Sequence, residues 1–403
     1  MKYIIILGDG MSDYPIESLG NKTPLQAARK PNIDKLAAMG RSGLFKTVPD
    51  DMPPGSEIAN MAVLGYDVHK VYQGRGVLEA ASIGVEIKPG DLAMRCNLIC
   101  IENDKIKNHS AGHISTEESN ELIKALKKEL DSDSIIFYPG VSYRHLLVLK
   151  NGLNDIQCTP PHDVPGTRFR DVLIKATGKD SQTADYLNDL VLKSQKILMS
   201  HPVNLERIPK GKDPANSIWP WSPGHKPEMK TLQELYGLSG AVISAVDLLY
   251  GIGVYAGLKG IKVEGSTGLY DTNYEGKAKA AMEALKDVDL VYLHIEASDE
   301  AGHEGNAALK TKTIEYLDQR VVKYILEETA KMDEEVTIAV LPDHPTPCDL
   351  KTHTHDPVPF IIYNPNIKPD KVICYDEESV KEGDFGLIQG DEFIRALISN
   401  KES

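Results

Sequence analysis

Lys2-Tyr3-Ile4-Ile5-Ile6-Leu7-Gly8-Asp9-Gly10 is the stretch on which the fold turns. Residues 3–7 are an unbroken apolar run rich in β-branched isoleucine, and Gly8-Asp9-Gly10 closes it with turn residues. A run without alternation is buried on both faces, the condition of a strand inside a parallel sheet. Similar runs follow at residues 43–48, 240–245, 289–295, 335–341 and 359–363. Helical spacing lies between them at 277–285, 307–331 and 391–399, and at 23–39, where Pro31 breaks the pattern or starts a turn. Strands alternating with helices predict an α/β fold, a parallel sheet covered by helices on both faces.

The middle of the chain has a different rhythm. Residues 91–102 and 134–150 are long strand-like stretches, the second interrupted at Pro139-Gly140, and strong helix formers occupy 117–130 between them. Another helix fits 185–199. Without a βα repeat, this part reads as a smaller inserted α+β domain at 89–202, the larger domain being 1–88 with 203–403. The Pro- and Gly-rich segment 208–227 reads as the return crossing between domains.

The 45 basic against 59 acidic residues leave a formal charge of −14, which excludes a fold-wide attraction for nucleic acid or anionic membrane. Cys96, Cys100, Cys158, Cys348 and Cys374 form an odd set without a CxxC pair, suited to a reducing cytoplasm rather than a disulfide framework. The first apolar run is too short for a secretory leader and meets Gly-Asp instead of a cleavage site. The longest apolar stretch, 241–258, contains Asp247 and several glycines, and reads as a buried strand and a core helix rather than a membrane span. The expectation is a cytoplasmic protein with a small-molecule substrate.

In open parallel sheets, sites form beyond the carboxyl ends of the strands. The first strand ends in Asp9; the 289–295 run leads into Glu296-Ala297-Ser298-Asp299-Glu300-Ala301-Gly302-His303; the 335–341 run leads into Pro342-Asp343-His344. His353-Thr354-His355-Asp356 follows shortly after. Asp299 and His303 are one helical turn apart and face the same way. Carboxylates with imidazoles, and no thiolate, suit Mn²⁺ or Zn²⁺ better than Ca²⁺. His69, His145, His201 and His294 lack such company and read as ordinary surface or core residues. Pro53-Pro54-Gly55-Ser56-Glu57 places a serine at the start of a helical pattern. Such a serine either caps the helix or offers its hydroxyl to a phosphate held by the helix amides and divalent ions. The neighbouring ligand cluster favours the nucleophile.

In order along the chain, Asp9, Ser56, Asp299-x-x-x-His303, Asp343-His344 and His353 resemble the alkaline-phosphatase superfamily. More closely, the chain resembles the cofactor-independent phosphoglycerate mutases of the archaeal type. The strings are Gly8-Asp9-Gly10, Gly55-Ser56-Glu57-Ile58-Ala59-Asn60-Met61, Tyr72-Gln73-Gly74-Arg75-Gly76, Asp299-Glu300-Ala301-Gly302-His303-Glu304-Gly305 and His355-Asp356-Pro357-Val358-Pro359-Phe360. The resemblance implies two divalent ions, Mn²⁺ first and Zn²⁺, Co²⁺ or Mg²⁺ as alternatives. One would be held by Asp299, His303 and His353, with His355 competing for the last place; the other by Asp9, Ser56, Asp343 and His344. It implies interconversion of 3- and 2-phosphoglycerate through a phosphoserine at Ser56, with the inserted domain as a lid that excludes water. A homoserine kinase-like phosphotransferase or a metal-dependent phosphatase is the alternative on the same scaffold. The substrate's carboxylate and phosphate call for bidentate cations. Arg75, Arg95, Arg144, Arg168 and Arg170 are the candidates, with Arg75 foremost, and His113, His162 and Asp163 suit acid/base or hydroxyl-positioning roles.

Overall fold

The computed structural model describes residues 1–178 and 181–399, and falls into two compact units. Calls on the last four residues of the chain and on 179–180 therefore lie outside the described part.

The larger unit comprises Met1–Tyr72 and Glu228–Ser403. Its sheet has eight strands in the order Leu258–Ile261, Gly240–Ile243, Leu290–Ile295, Lys2–Gly8, Val336–Leu341, Val358–Tyr363, Arg41–Lys46 and Gly386–Gln389. Seven share one direction, while Val358–Tyr363 runs against both its neighbours. The apolar runs form the central strands because both faces are buried: on one, Ile4, Ile6, Ile243, Leu293 and Val340 pack with Leu36, Tyr274, Ile314 and Val321 from the helices, and on the other Ile5, Leu7, Tyr292 and Leu341 are equally hidden. Register then aligns three strand ends, since Gly8 pairs with Ile295 and Leu7 with Leu341. The next residues of each strand, Asp9, Glu296 and Pro342-Asp343, leave the sheet side by side. Because Val358–Tyr363 is antiparallel, its entry lies at that same edge, so the 342–357 loop stays where Asp9 is.

The smaller unit is Gln73–Pro227, wider than the 89–202 read from the sequence. Leu92–Glu102 is its central strand, pairing antiparallel with Lys105–Asn108, Arg144–Leu149 and Ser217–Gly224, and Ile135–Val141 adds to Arg144–Leu149. Helices Thr116–Leu130 and Gln182–Met199 cover one face through Leu122, Leu126, Leu187 and Leu190. The segment 208–227, expected as a return crossing, instead contains the strand Ser217–Gly224. It pairs on one side, so Pro220 and Pro223 cost no ladder bond on the other. Helix Arg75–Ser82 packs on both this strand and Leu92–Glu102, which brings the unit's start back to residue 73. The break expected at Pro139-Gly140 is a bulge within a strand, and the chain turns instead at Ser142, whose φ is +55°. Among the described residues no helix is long and apolar enough to cross a membrane, and the five cysteines are free.

Candidate metal centre

Two groups of side chains gather at the aligned strand ends of the larger unit. In the first, Asp299, His344 and His353 bring one donor atom each within 4.8 Å of the others. His303, a turn after Asp299 on helix Ala297–Glu304, stands with them: its Nε2 is 3.2 Å from Asp299 Oδ2 and 3.0 Å from His353 Nε2. Both rings are tied at their other nitrogen, His303 Nδ1 to the Lys351 carbonyl at 3.0 Å and His353 Nδ1 to the Pro54 carbonyl at 3.3 Å. A carbonyl accepts, so each Nδ1 donates there and each Nε2 is turned toward Asp299, where it donates when protonated and offers a lone pair to a cation when not. His355 is spent elsewhere, with Nε2 2.7 Å from the Met52 carbonyl.

The second group is Asp9, His294 and Asp343, all buried. Asp343 Oδ1 accepts from the amides of Gly10 (3.2 Å) and His344 (2.9 Å), and its Oδ2 from Asn60 Nδ2 (2.8 Å). Asp9 Oδ1 is buried with no hydrogen-bond partner, and His344 Nε2 lies 3.6 Å away. A buried carboxylate oxygen without a donor is an expensive arrangement unless a cation faces it.

Ser56 is the first residue of helix Ser56–Val63, and Gly55 holds the cap position without a side-chain bond. Its hydroxyl is therefore not spent on capping; Oγ stands 3.1 Å from His344 Nε2. Asn60, one turn on, donates to the Ser56 carbonyl at 2.8 Å as well as to Asp343, and Tyr292 donates to Asn60 Oδ1. The helix is thereby joined to the strand end that carries Asp343.

The charges do not balance by themselves. Burial, then the neighbouring carboxylates of Asp343 and Asp299, push Asp9 well above the usual carboxylate range. Burial acts the same way on Asp299, but hydrogen bonds from His303 and His353 overcome it and hold that group well below its usual range. The bond to Asp299 in turn lifts His303 to about 9. Burial pulls His294 down to about 4, which makes it a neutral ring. Three buried aspartates converging with imidazoles are a donor set of the oxygen-nitrogen kind that divalent transition ions take.

The expected substrate side chains lie in the smaller unit. Arg95 Nε is 3.0 Å from Glu79 Oε1, and its guanidinium lies 4.3 Å over the Trp221 ring. Burial lowers its pKa; Glu79 opposes that, and the positive charges of Arg75 and Arg144 add to it. Arg144 lies 5.5 Å over Tyr143, whose edge meets His109 and His113. His162 meets Trp221 at 5.4 Å and His109 at 6.0 Å, and has Asp163 Oδ1 at 3.4 Å. Arg168 and Arg170 stand apart, both exposed and both paired with Asp104.

A family model described as 2,3-bisphosphoglycerate-independent phosphoglycerate mutase matches residues 37–204. A Methanosarcina acetivorans protein named 2,3-bisphosphoglycerate-independent phosphoglycerate mutase is 56% identical over 400 residues, covering 99% of this chain and 100% of its own. The chain belongs to the 2,3-bisphosphoglycerate-independent phosphoglycerate mutase family. A Geobacter sulfurreducens relative, named a probable mutase of this kind, is 50% identical over 98% of both chains. Among solved structures, a Pyrococcus horikoshii protein superposes with TM-score 0.84 at 31% identity, covering 100% of this chain and 99% of its own. The cofactor-independent phosphoglycerate mutase of Thermoplasma acidophilum gives 0.70 at 28%, covering 99% of each.

Membership in this mutase family leaves two residues that the motifs do not name. His294 stands in the second group although its sequence neighbours gave it no company; its signal is a histidine inside an unbroken apolar strand, aligned with Leu7 beside Asp9. His109 meets both Tyr143, which His113 also touches, and His162, with no motif to mark it. Three other histidines have local tasks. His69 faces Asp51 at the surface, His145 accepts from Gly140 N–H, and His201 caps helix Pro202–Arg207.

Proposed function

We propose that this enzyme of the mutase family interconverts 3-phosphoglycerate and 2-phosphoglycerate through a phosphoserine at Ser56. The supporting observation is a hydroxyl at a helix start, free of capping and 3.1 Å from His344 Nε2, beside the buried carboxylates Asp9 and Asp343. Asp299, His303 and His353 would hold one divalent cation, and Asp9, Ser56, Asp343 and His344 the other, with Mn²⁺ the first candidate for this donor chemistry. When bound, the two ions lower the pKa of a serine hydroxyl and neutralise the oxygens of a phosphoryl group in transfer.

The chain's own residues account for the rest. Asn60 holds the Ser56 carbonyl and so fixes the helix start from which Oγ projects. The Ser56 oxygen forms its bond to phosphorus as the ester bond to the glycerate oxygen breaks, and that oxygen takes the proton the serine gave up. The other hydroxyl of glycerate then reverses the step, losing its proton and freeing Ser56. Water must be kept out between the two transfers, because hydrolysis would release inorganic phosphate. We assign Arg75, Arg95 and Arg144 to the substrate's anionic groups, and His113, His162 and Asp163 to its hydroxyls; the smaller unit thereby acts as the substrate-binding lid. The reaction and the free thiols fit a cytoplasmic enzyme.

The test is the conversion of 3-phosphoglycerate by Mn²⁺-loaded protein, followed by ³¹P NMR. We expect 2-phosphoglycerate without inorganic phosphate, a rate lower by at least about a thousandfold in Ser56→Ala, and a raised KM in Arg75→Ala. Near-normal turnover of Ser56→Ala would overturn the phosphoserine step, and phosphate as the sole product would make the protein a hydrolase.

A further inference from the structure

His294 sits at the end of strand Leu290–Ile295 and is fully buried. Its Nε2 is 2.9 Å from Asp9 Oδ2, and its Nδ1 is 3.1 Å from Ser244 Oγ. Proximity alone would make it a third ligand of the Asp9–Asp343 group, since its ring nitrogen falls within that cluster. The hydrogen bonds argue otherwise. Ser244 Oγ accepts the Val246 N–H at 3.0 Å, and among the described residues His294 Nδ1 is the acceptor within reach of its own hydroxyl proton, which would otherwise be buried unpaired. An imidazole that accepts at Nδ1 carries its single proton at Nε2. That nitrogen then has no lone pair for a cation and donates to Asp9 Oδ2.

The consequence falls on Asp9. One of its oxygens is occupied by His294, and the other, Oδ1, is left buried without a donor and turned toward His344. We infer that His294 is a positioning residue: the chain Ser244–His294–Asp9 fixes the carboxylate so that Oδ1 alone is presented to a cation. Carboxylates and imidazoles around metal sites are regularly oriented in this way, and loss of such a partner weakens the site about 10- to 100-fold. Lys277, whose Nζ donates to the His294 carbonyl at 3.2 Å, holds the backbone of the same residue and leaves its ring free for this task.

The inference rests on the two-cation reading above, and the experiment separates the two. Mn²⁺ is titrated into metal-free protein by calorimetry, with two sites expected in the wild type. His294→Leu should lose 10- to 100-fold at one site while the other, built on Asp299, His303 and His353, keeps its affinity. His294→Gln, which retains an N–H donor at the position of Nε2, should recover to within a few-fold of wild type. A Leu variant that binds both ions normally, a Gln variant as weak as Leu, or equal weakening of both sites overturns the inference. The first denies any role, the second makes the imidazole itself the ligand, and the third makes the residue merely structural. Independently of folding in the variants, ¹⁵N-histidine NMR of Mg²⁺-loaded wild type should show His294 protonated at Nε2 and bare at Nδ1. A bare Nε2 overturns it too. Fewer than two ions bound by the wild type would instead sink the two-cation reading, and this inference with it.

Discussion

Gly140 N–H donates to His145 Nδ1 at 3.0 Å inside the smaller unit, and burial pulls that imidazole down to about 3 from its ordinary 6.5. A group whose folded pKa is depressed contributes stability above its unfolded pKa and loses it as the pH falls toward the folded value. His145 should therefore make unfolding easier between pH 6.5 and pH 3, by about 1.4 kcal/mol per pH unit. His145→Asn keeps an acceptor for Gly140 and removes the titration. Urea unfolding at pH 7 and pH 5 should show the wild type losing about 2 kcal/mol more than this variant. Equal losses would mean that His145 is not held neutral. The comparison with His303 and His353 is instructive. There Nδ1 donates to a carbonyl and Nε2 faces Asp299; in His145 and His294 Nδ1 accepts. The sequence names all four as histidine. Which nitrogen is bare depends on a partner up to 299 positions away, as with Pro54 for His353. That is why spacing found His303 and His353 and passed over His294.

Helix Pro31–Met39 begins with a proline and a Lys30 that makes no side-chain cap. Its first amides are served from another element: Asp318 accepts from Asn32 N, Asn32 Nδ2 and Ile33 N, each at 2.8 Å. Asp318 lies in the π-helical turn Leu317–Val322, which interrupts an otherwise continuous helical run from Ala307 to Thr329. Asp318→Ala would strand two backbone donors, that of Ile33 fully buried and that of Asn32 partly so, and we expect it to cost about 2–3 kcal/mol, measured by urea or thermal unfolding. A loss below about 0.5 kcal/mol, the level of an ordinary surface change, would show that the helix start is served otherwise. The sequence reading found the helix pattern over 307–331 but not this turn, because an apolar stripe reports which face is buried and not how the backbone bonds are spaced. The strands divide in the same way. Continuous apolar runs marked the central strands, yet nothing in Val358–Tyr363 records that it runs antiparallel. Ser217–Gly224 looks like a crossing in the sequence because two prolines disguise a strand whose free side needs no amide.

At the scale of the whole molecule, the aligned ends of Lys2–Gly8, Leu290–Ile295 and Val336–Leu341 bring Asp9, Asp299 and Asp343 together from three distant parts of the chain. Folding buries all three, and that burial first, then repulsion from Asp343 and Asp299, raises Asp9's pKa. An ion that binds the folded state alone stabilises it by about 2.7 kcal/mol at a hundred times its Kd. Two such sites should together contribute about 5 kcal/mol, lost on chelation. Thermal unfolding in excess EDTA against saturating Mn²⁺ should therefore show Tm rising by several degrees. The size of the rise should follow the donors removed. Ser56→Ala deletes one donor of four and leaves both carboxylates of its group, so most of the rise should persist. Asp343→Ala deletes a charged donor and also strands the amides of Gly10 and His344 with Asn60, so about half of the rise should vanish and the metal-free protein should itself be less stable. A Tm indifferent to Mn²⁺ in the wild type would mean that the carboxylates and the imidazoles balance one another unaided, and the case for cations at these strand ends would fail.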